Sequence, residues 1–473
     1  MPDFDAIVVG AGPNGLAAAI ELARAGKRVQ VCEAKPTIGG GARTMELTLP
    51  GFLHDVCSAI HPLGVGSPFF RSLPLHQFGL EWLYTEIEMA HPFDDGSAAL
   101  MLRSIEATGE TLDPGDGRRY TALMRPFAER WDALAHEILG PFGIPSNPFL
   151  LGGFGIPALM PARVLAQTWF RGPKAQAFFA GMAAHSFLPL ETVASASFGL
   201  VLGILSHAVG WAIPKGGSQS IVNAMTAYLE SLGGEIVVGR PVTALNELPD
   251  SQAVLFDLTP KQILAIAGDA LPVGYRQKLE GYRYGPGVFK MDWALSEPIP
   301  WKNADCRRAG TVHLGATLHE IADSERAIWS GKKDSTPYTL VAQQSIVDST
   351  RAPAGKHTGW AYCHVPSGST EDMSERIIRQ IERFAPGFRD TILHTHTTNT
   401  KQLEAYNNNY IGGDVNGGVQ DIFQLFTRPV ARVSPYTTPN PRLYICSSST
   451  PPGGGVHGMC GYHAAKAALH HAF

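Results

Sequence analysis

The sequence is poor in the features that would mark several protein classes. Its six cysteines (Cys32, Cys57, Cys306, Cys363, Cys446 and Cys460) are scattered, and no two form a Cys-x-x-Cys pair. Neither a redox-active disulfide nor a structural zinc site is suggested, and the six read as reduced core residues. No apolar run approaches the roughly 18 residues needed to cross a bilayer. Lys and Arg (38) do not outnumber Asp and Glu (42), and the net charge of −4 gives no polybasic signature for nucleic acid. No RNA-binding motif, helix-turn-helix or internal repeat appears. Charged residues make up only 17% against 44% hydrophobic, which fits a globular chain and not a disordered one. The first apolar strand begins so close to Met1 that it leaves no room for a signal or transit peptide, so a cytoplasmic, reducing location is expected. A chain of 473 residues is too long for one core, and two domains are the default.

What is present is concentrated at the two ends. Asp5-Ala6-Ile7-Val8-Val9 is a β-branched apolar run, followed at once by Gly10-Ala11-Gly12-Pro13-Asn14-Gly15. Residues 16–24 then read as a helix, Gly26 ends it, and residues 27–32 read as a second strand finishing on Glu33. Strand, glycine turn, helix, strand and acid together form the dinucleotide-binding fingerprint. Gly10 permits the tight turn, Gly12 lets backbone N–H groups approach a diphosphate, and Gly15 lets the helix pack close to the strand. The helix N-terminus supplies unpaired donors and partial positive charge. Glu33 lies where a carboxylate accepts ribose hydroxyls. The bland alternative is a glycine-rich turn with no ligand.

Just beyond come Ala34, the Gly39-Gly40-Gly41 run, Ala42 and Arg43. With Glu33, these resemble the double-glycine motif of FAD-dependent, amine-oxidase-type flavoproteins. The continuation through Leu49-Pro50-Gly51-Phe52-Leu53-His54-Asp55 and Ser58-Ala59-Ile60-His61-Pro62 resembles the phytoene desaturase-related branch, which includes carotenoid desaturases, carotenoid isomerases and retinol saturases. The resemblance implies FAD as cofactor. It also implies that Gly40, Gly41, Ala42 and Arg43 lie along its diphosphate and ring.

Between Gly64 and about Ser206 the chain is rich in Phe, Leu, Pro and Gly. Residues 120–139 carry apolar side chains at helical spacing (Leu123, Phe127, Trp131, Leu134, Ile138), which predicts a core-facing helix. Residues 141–160 are apolar, almost free of charge, and too interrupted by Pro and Gly for a long helix. This stretch reads as a cap over a substrate cavity, as a patch touching a membrane, or as an irregular buried segment. Ser218 is placed to cap a helix over 221–232, and strands follow at 235–239, 241–245 and 253–258. The resemblance gives the backbone of Val242 to the adenine end of the cofactor.

Residues 285–295 alternate, with Phe289, Met291, Trp293 and Leu295 on one face and Val288, Lys290, Asp292 and Ala294 on the other. That predicts a half-buried strand of an antiparallel sheet. In the resembling enzymes a Lys in this context lies beneath the flavin and holds a water near its N5, a role that would fall to Lys290. A Lys290–Asp292 pair on a solvent face is the alternative. Strands near 339–344 and 359–365 and a helix over 371–384 complete the middle region.

Near the C-terminus, a strand at 443–447 runs into Pro451-Pro452-Gly453-Gly454-Gly455-Val456-His457-Gly458 and then a helix over 462–469. No acid follows at the distance a second dinucleotide would need. The resemblance brings Gly455, Val456 and His457 to the pyrimidine edge of the flavin. A helix N-terminus there stabilises the negative charge of the reduced ring.

These readings predict an α/β fold. A doubly wound, Rossmann-like FAD-binding domain is expected from residues 1–63, 207–275 and 430–473. An interleaved α+β substrate domain, an antiparallel sheet plus a helical cap, is expected from 64–206 and 276–429. The expected activity is oxidation or reduction of an apolar, isoprenoid- or lipid-like substrate at a carbon–carbon bond. Amine oxidation and a weakly catalytic FAD-binding scaffold are the alternatives. Catalytic candidates are Lys290, His457 and His61, with His185 and Tyr284 behind them. No metal ligand set is recognisable, a peripheral membrane contact is one reading of the apolar stretch, and nothing bears on oligomeric state.

Overall fold

The computed structural model describes residues 3–332 and 335–473. Its organising element is a five-stranded, wholly parallel sheet in the order Leu443–Ile445, Ala253–Phe256, Ala6–Val9, Val29–Cys32, Glu235–Val237. The Ala6–Val9 strand is buried at every position. A strand covered by helices on both faces needs that kind of uninterrupted apolar run. Pro13 opens the helix Pro13–Arg24, where its missing N–H costs nothing. That helix packs along the C-terminal helix Met459–His471. The two come so close that a Cβ on Gly461 would overlap the carbonyl oxygen of Asn14. The two ends of the chain are thus neighbours, and the long interior is inserted between them. No strand forms at 241–245. Pro241 has no N–H for a ladder, and the Arg240 N–H is taken by the Glu33 carbonyl at 2.9 Å.

A second sheet has seven strands in the order Ile392–Thr398, Gly287–Leu295, His357–Val365, Thr339–Ala342, Ala309–Leu314, Ile87–Pro92, Ala98–Met101. It is mixed, not purely antiparallel as expected, because Ile87–Pro92 runs parallel to Ala309–Leu314. The two strands come from different insertions, so no hairpin dictates their direction. The alternation predicted for Gly287–Leu295 is present, but all nine residues are buried. Phe289, Met291, Trp293 and Leu295 pack with Ile377 and Ile381 of the helix Ser374–Phe384. The opposite face closes an internal cavity instead of meeting water.

Helices between residues 105 and 208 form the remaining layer. The single helix expected over 120–139 is two, Asp116–Ala128 and Trp131–Ile138. Pro126 sits in the last turn of the first and weakens its continuation. Leu123, Phe127, Trp131 and Leu134 are buried as their spacing predicts. The stretch expected to be irregular contains a helix, Pro148–Ala158, with Pro148 harmless at its first position and Pro157 near its end. That helix is far from buried. Its Phe149 and Ile156 are 95% and 75% exposed, as are Ile144 and Phe142 just before it at 98% and 77%. Among the described residues no single helix is long and apolar enough to cross a membrane. Pro148–Ala158 and Ala162–Trp169 reach that length and composition only together, and they are bent by 96°.

Candidate cofactor and substrate site

A cavity of about 530 Å³ runs from the C-terminal ends of the parallel strands to the inner face of the mixed sheet. Its outer end is walled by Gly10, Gly12, Pro13, Asn14, Glu33, Ala34, Gly40, Gly41, Arg43 and Val242, and farther in by Gly455, Val456, His61 and Lys290. Three of the expected site residues are not on its wall: Gly15, Ala42 and His457.

Gly10 has φ of +106°, a conformation open to glycine. A Cβ on Gly12 would come within 2.6 Å of Asp257 Oδ2, and one on Gly15 would overlap the Gly10 carbonyl oxygen. Gly15 therefore acts through packing, one step removed from the ligand. Glu33 accepts the Ala11 N–H through Oε2 and the Lys35 N–H through Oε1, both at 2.9 Å. Arg43 lies 3.3 Å from Glu33 Oε1, and it donates to the Thr37 carbonyl at 2.6 Å and the Ile38 carbonyl at 3.0 Å. With its side chain only 4% exposed, Arg43 organises the glycine loop as much as it faces the cavity.

Asp257 escaped the sequence reading. It directly follows the Ala253–Phe256 strand, where ligands bind in parallel α/β sheets, so position in the fold is the signal that would have found it. Its Oδ2 accepts the Gly15 N–H at 2.9 Å, and burial pushes its carboxyl up to about 7. Also unforeseen on the inner wall are Phe187, Trp211, Trp360, Tyr362, Tyr406 and Tyr410, of which Trp360 and Tyr362 lie two apart on the strand His357–Val365 and the others come from elsewhere in the chain. No local pattern unites the whole set.

Lys290 is ion-paired with Asp292 inside the protein, not on a solvent face, and its ammonium lies 5.5 Å from the centre of the Trp360 ring. Burial works hardest against the Asp292 carboxylate, but Lys290, His396 and His54 together outweigh it and hold the carboxyl below its ordinary range. His54 Nδ1 stands 3.7 Å from the other oxygen. The two sequence readings of Lys290 merge: it forms the pair and it faces the cavity.

His61 Nε2 lies 2.8 Å from Ser218 Oγ, whose proton goes to the Ser58 carbonyl at 2.6 Å. Ser218 occupies the N-cap position of Gln219–Ser231, yet its hydroxyl serves His61 and not the helix. Burial pushes His61 down to about 4. His457 is not on the cavity wall; its Nδ1 accepts the Met459 N–H at 3.0 Å at the start of the C-terminal helix, and burial pushes it down to about 4. Tyr284 is also off the wall, and its hydroxyl accepts the Lys261 N–H at 3.2 Å. His185 is on the wall. No residue of 142–160 is, so that stretch is not the cavity's cap. Among the described residues no group of three or more His, Cys, Asp or Glu is arranged to hold a metal ion.

Comparison with known proteins agrees with this architecture. The model of the NAD(P)-binding Rossmann-like domain matches residues 8–73. The pyridine nucleotide-disulfide oxidoreductase domain-containing protein 2 of Rattus norvegicus is 24% identical over 98% of this chain and 93% of its own. Phytoene dehydrogenase of Streptomyces griseus is 26% identical over 82% of this chain and 77% of its own. Among solved structures, an oxidoreductase from Methanosarcina mazei shares the fold with a TM-score of 0.67 at 16% identity, covering 98% of this chain and 99% of that one. Cyclohexylamine oxidase from Brevibacterium oxydans shares it with a TM-score of 0.60 at 16% identity, covering 100% and 99%. The chain is thus similar in sequence to a phytoene dehydrogenase and in fold to an amine oxidase, and its first segment matches a Rossmann-like nucleotide-binding domain, as expected for an FAD-dependent oxidoreductase.

Proposed function

We propose that the protein is an FAD-dependent oxidoreductase that desaturates, saturates or isomerises a carbon–carbon bond of an apolar, isoprenoid- or lipid-like substrate. The observation that carries this reading is the continuity of one cavity from the Gly10–Asn14 turn to Lys290 and the aromatic wall beyond it. The residues fit FAD. Gly12 and Gly40 leave the backbone bare where the diphosphate would lie, and Gly40 holds φ of +54° within contact of Gly12. Asn14 Oδ1, beside them, is buried with no protein partner. Glu33 Oε2 accepts only the Ala11 N–H and so keeps one lone pair for a ribose hydroxyl. When bound, FAD supplies a carrier that takes or gives a hydride.

The chain's own residues then position the substrate and exclude water. The acids on the cavity wall, Glu33 and Asp257, are both at the dinucleotide end. The charge of Lys290 is neutralised by Asp292, so the inner wall offers no carboxylate to an ammonium group, which supports a neutral, apolar substrate. A second reading, C–N oxidation, draws on the aromatic walls, where Trp360 and Tyr362 meet edge to face with ring centres 5.1 Å apart. In this proposal the cofactor domain is assembled from 1–63, 207–275 and 430–473. A lipid surface is the partner that fits Phe142, Ile144, Phe149 and Ile156. Anaerobic mixing of the FAD-loaded protein with isoprenoid lipids and with amines decides between the readings. Bleaching by a lipid supports the first and bleaching by an amine the second. Bleaching by neither leaves a flavin-binding scaffold.

A further inference from the structure

The mixed sheet lines the inner cavity with one face, and along two of its strands that lining stops at a definite residue. On His357–Val365 the side chains of Trp360, Tyr362 and His364 share a face, because they alternate along a strand. Trp360 and Tyr362 are on the cavity wall and His364 is not. Val288, directly opposite His364 on the neighbouring strand, is on the wall, so the space does reach this level of the sheet. On Ala309–Leu314 the same break falls between Thr311, on the wall, and His313, off it.

One turn covers both histidines. It consists of Ala184–Ser186 and the Phe187 that follows. His185 Nε2 lies 3.2 Å from His313 Nε2, and the Phe187 ring lies over the His364 ring with centres 3.8 Å apart. Both covering residues are themselves on the wall. His364 is fixed from behind. Its Nδ1 lies 2.8 and 2.9 Å from the two carboxylate oxygens of Glu325, on the helix Leu318–Trp329, and both residues are buried. Phe187 also packs with Val288, Leu403 and Tyr410, and it stacks on Tyr362 at 6.3 Å between centres and 20° between planes.

The backbone of Phe187 has φ of +59° and ψ of 24°. This is the left-handed region, open to glycine and an outlier for a bulky residue. Two hydrogen bonds hold it there. Its N–H donates to the Ala184 carbonyl at 3.0 Å, and its carbonyl accepts the Trp329 Nε1–H at 2.9 Å. Glycine would make the same turn without strain. What glycine cannot supply is the ring, and the ring stands on the cavity wall. Strain of this kind clusters where a ligand is held.

We propose that Phe187 is a specificity-determining residue: its ring is the end stop of the substrate cavity and sets the length of apolar chain that fits. The inference rests on the proposed function in taking the inner cavity as the substrate's place. It narrows the substrate from any apolar molecule to one of bounded length, whose inner end meets Phe187 and Tyr362.

The test compares Phe187→Gly and Phe187→Ala with the native protein. Farnesol and geranylgeraniol, which differ by one isoprene unit, are titrated into the FAD-loaded proteins while the flavin spectrum is followed. The affinity for geranylgeraniol relative to farnesol should rise about tenfold in both variants, as the longer chain gains apolar burial. An unchanged ratio overturns the proposal. A rise in the glycine variant alone would trace the effect to the backbone and overturn it too. The glycine variant should melt above the alanine variant, because only alanine keeps the strained φ. In a second arm, crystals are pressurised with xenon, which enters apolar cavities. Xenon should appear beside His364 in Phe187→Gly and not in the native protein. Neighbouring side chains closing onto that space, with no xenon, overturn the proposal. Binding of neither alcohol by the native protein would count against the proposed function instead, and the xenon arm would still decide where the cavity ends.

Discussion

Gly15 leaves no space for even a methyl group, because its Cβ would overlap the carbonyl oxygen of Gly10. Gly15→Ala must push the first helix off the first strand, at a cost of about 1–3 kcal/mol for overpacking. Melting temperature and flavin-to-protein ratio should fall together. Glu33 needs a gentler change, because it satisfies two backbone N–H groups and the buried Arg43. Removing it altogether strands a buried cation, at about 3–5 kcal/mol. Glu33→Gln keeps an acceptor and should fold, yet it should purify with less FAD than the native chain. Full occupancy would show that Glu33 is not the ribose partner. Lys290→Met should retain FAD and slow the flavin half-reaction, while stability drops because Asp292 is left buried beside His54. The double variant Lys290→Met, Asp292→Asn should recover the melting temperature and not the rate. A stopped-flow trace unchanged from native would remove Lys290 from the site.

At the scale of elements, the helices Pro148–Ala158 and Ala162–Trp169 present apolar side chains to solvent and contribute none to the cavity wall. Phe142 reaches across to Phe426, with ring centres 5.0 Å apart, so the patch extends beyond the pair itself. Isolated exposed apolar residues are ordinary, whereas large apolar patches mark contact surfaces, and the lipid contact proposed for this group can be tested directly. Phe149→Asp with Ile156→Asp should leave flavin content and melting temperature unchanged and abolish co-sedimentation with phospholipid vesicles. Retained co-sedimentation would exclude this patch as the contact. The same helices show where sequence reasoning ran out. Glycine and proline spacing identified the first strand, turn and helix, because each residue there has a local steric job. Alternation correctly paired the faces of Gly287–Leu295, but it could not tell a solvent-facing side from one facing an internal cavity. Exposure of Phe149 was invisible for the same reason. Trp360 and Tyr362 share one face of a single strand, but their meeting with Asp257 depends on elements far apart in sequence, so no window of sequence contains that relation.

For the whole molecule, the buried histidines set the response to acid. Burial pushes His54, His61, His91, His207, His457 and His463 down to about 4, His185 to about 3 and His313 well below its ordinary value. The unfolded chain takes up their protons near the ordinary value of 6.5, and the folded chain does not. Their contribution is therefore complete above that value and is lost as pH falls from 6.5 towards 4. A shift of that size is worth about 3 kcal/mol per histidine. Two carboxyls act in the opposite sense. Asp257 and Glu88 are pushed up to about 7, so each adds stability below its unfolded value and loses it as pH rises through 7. Each is worth about 4 kcal/mol over that window. Eight histidines outweigh two acids, and three of them already approach the typical domain stability of about 5–15 kcal/mol. The melting temperature should fall steeply between pH 6.5 and 4. Asp257→Asn should steepen that fall, because the variant loses the group that gains as pH drops. A melting temperature that stays level or rises from pH 6.5 to 5 would mean that these histidines are charged in the folded protein.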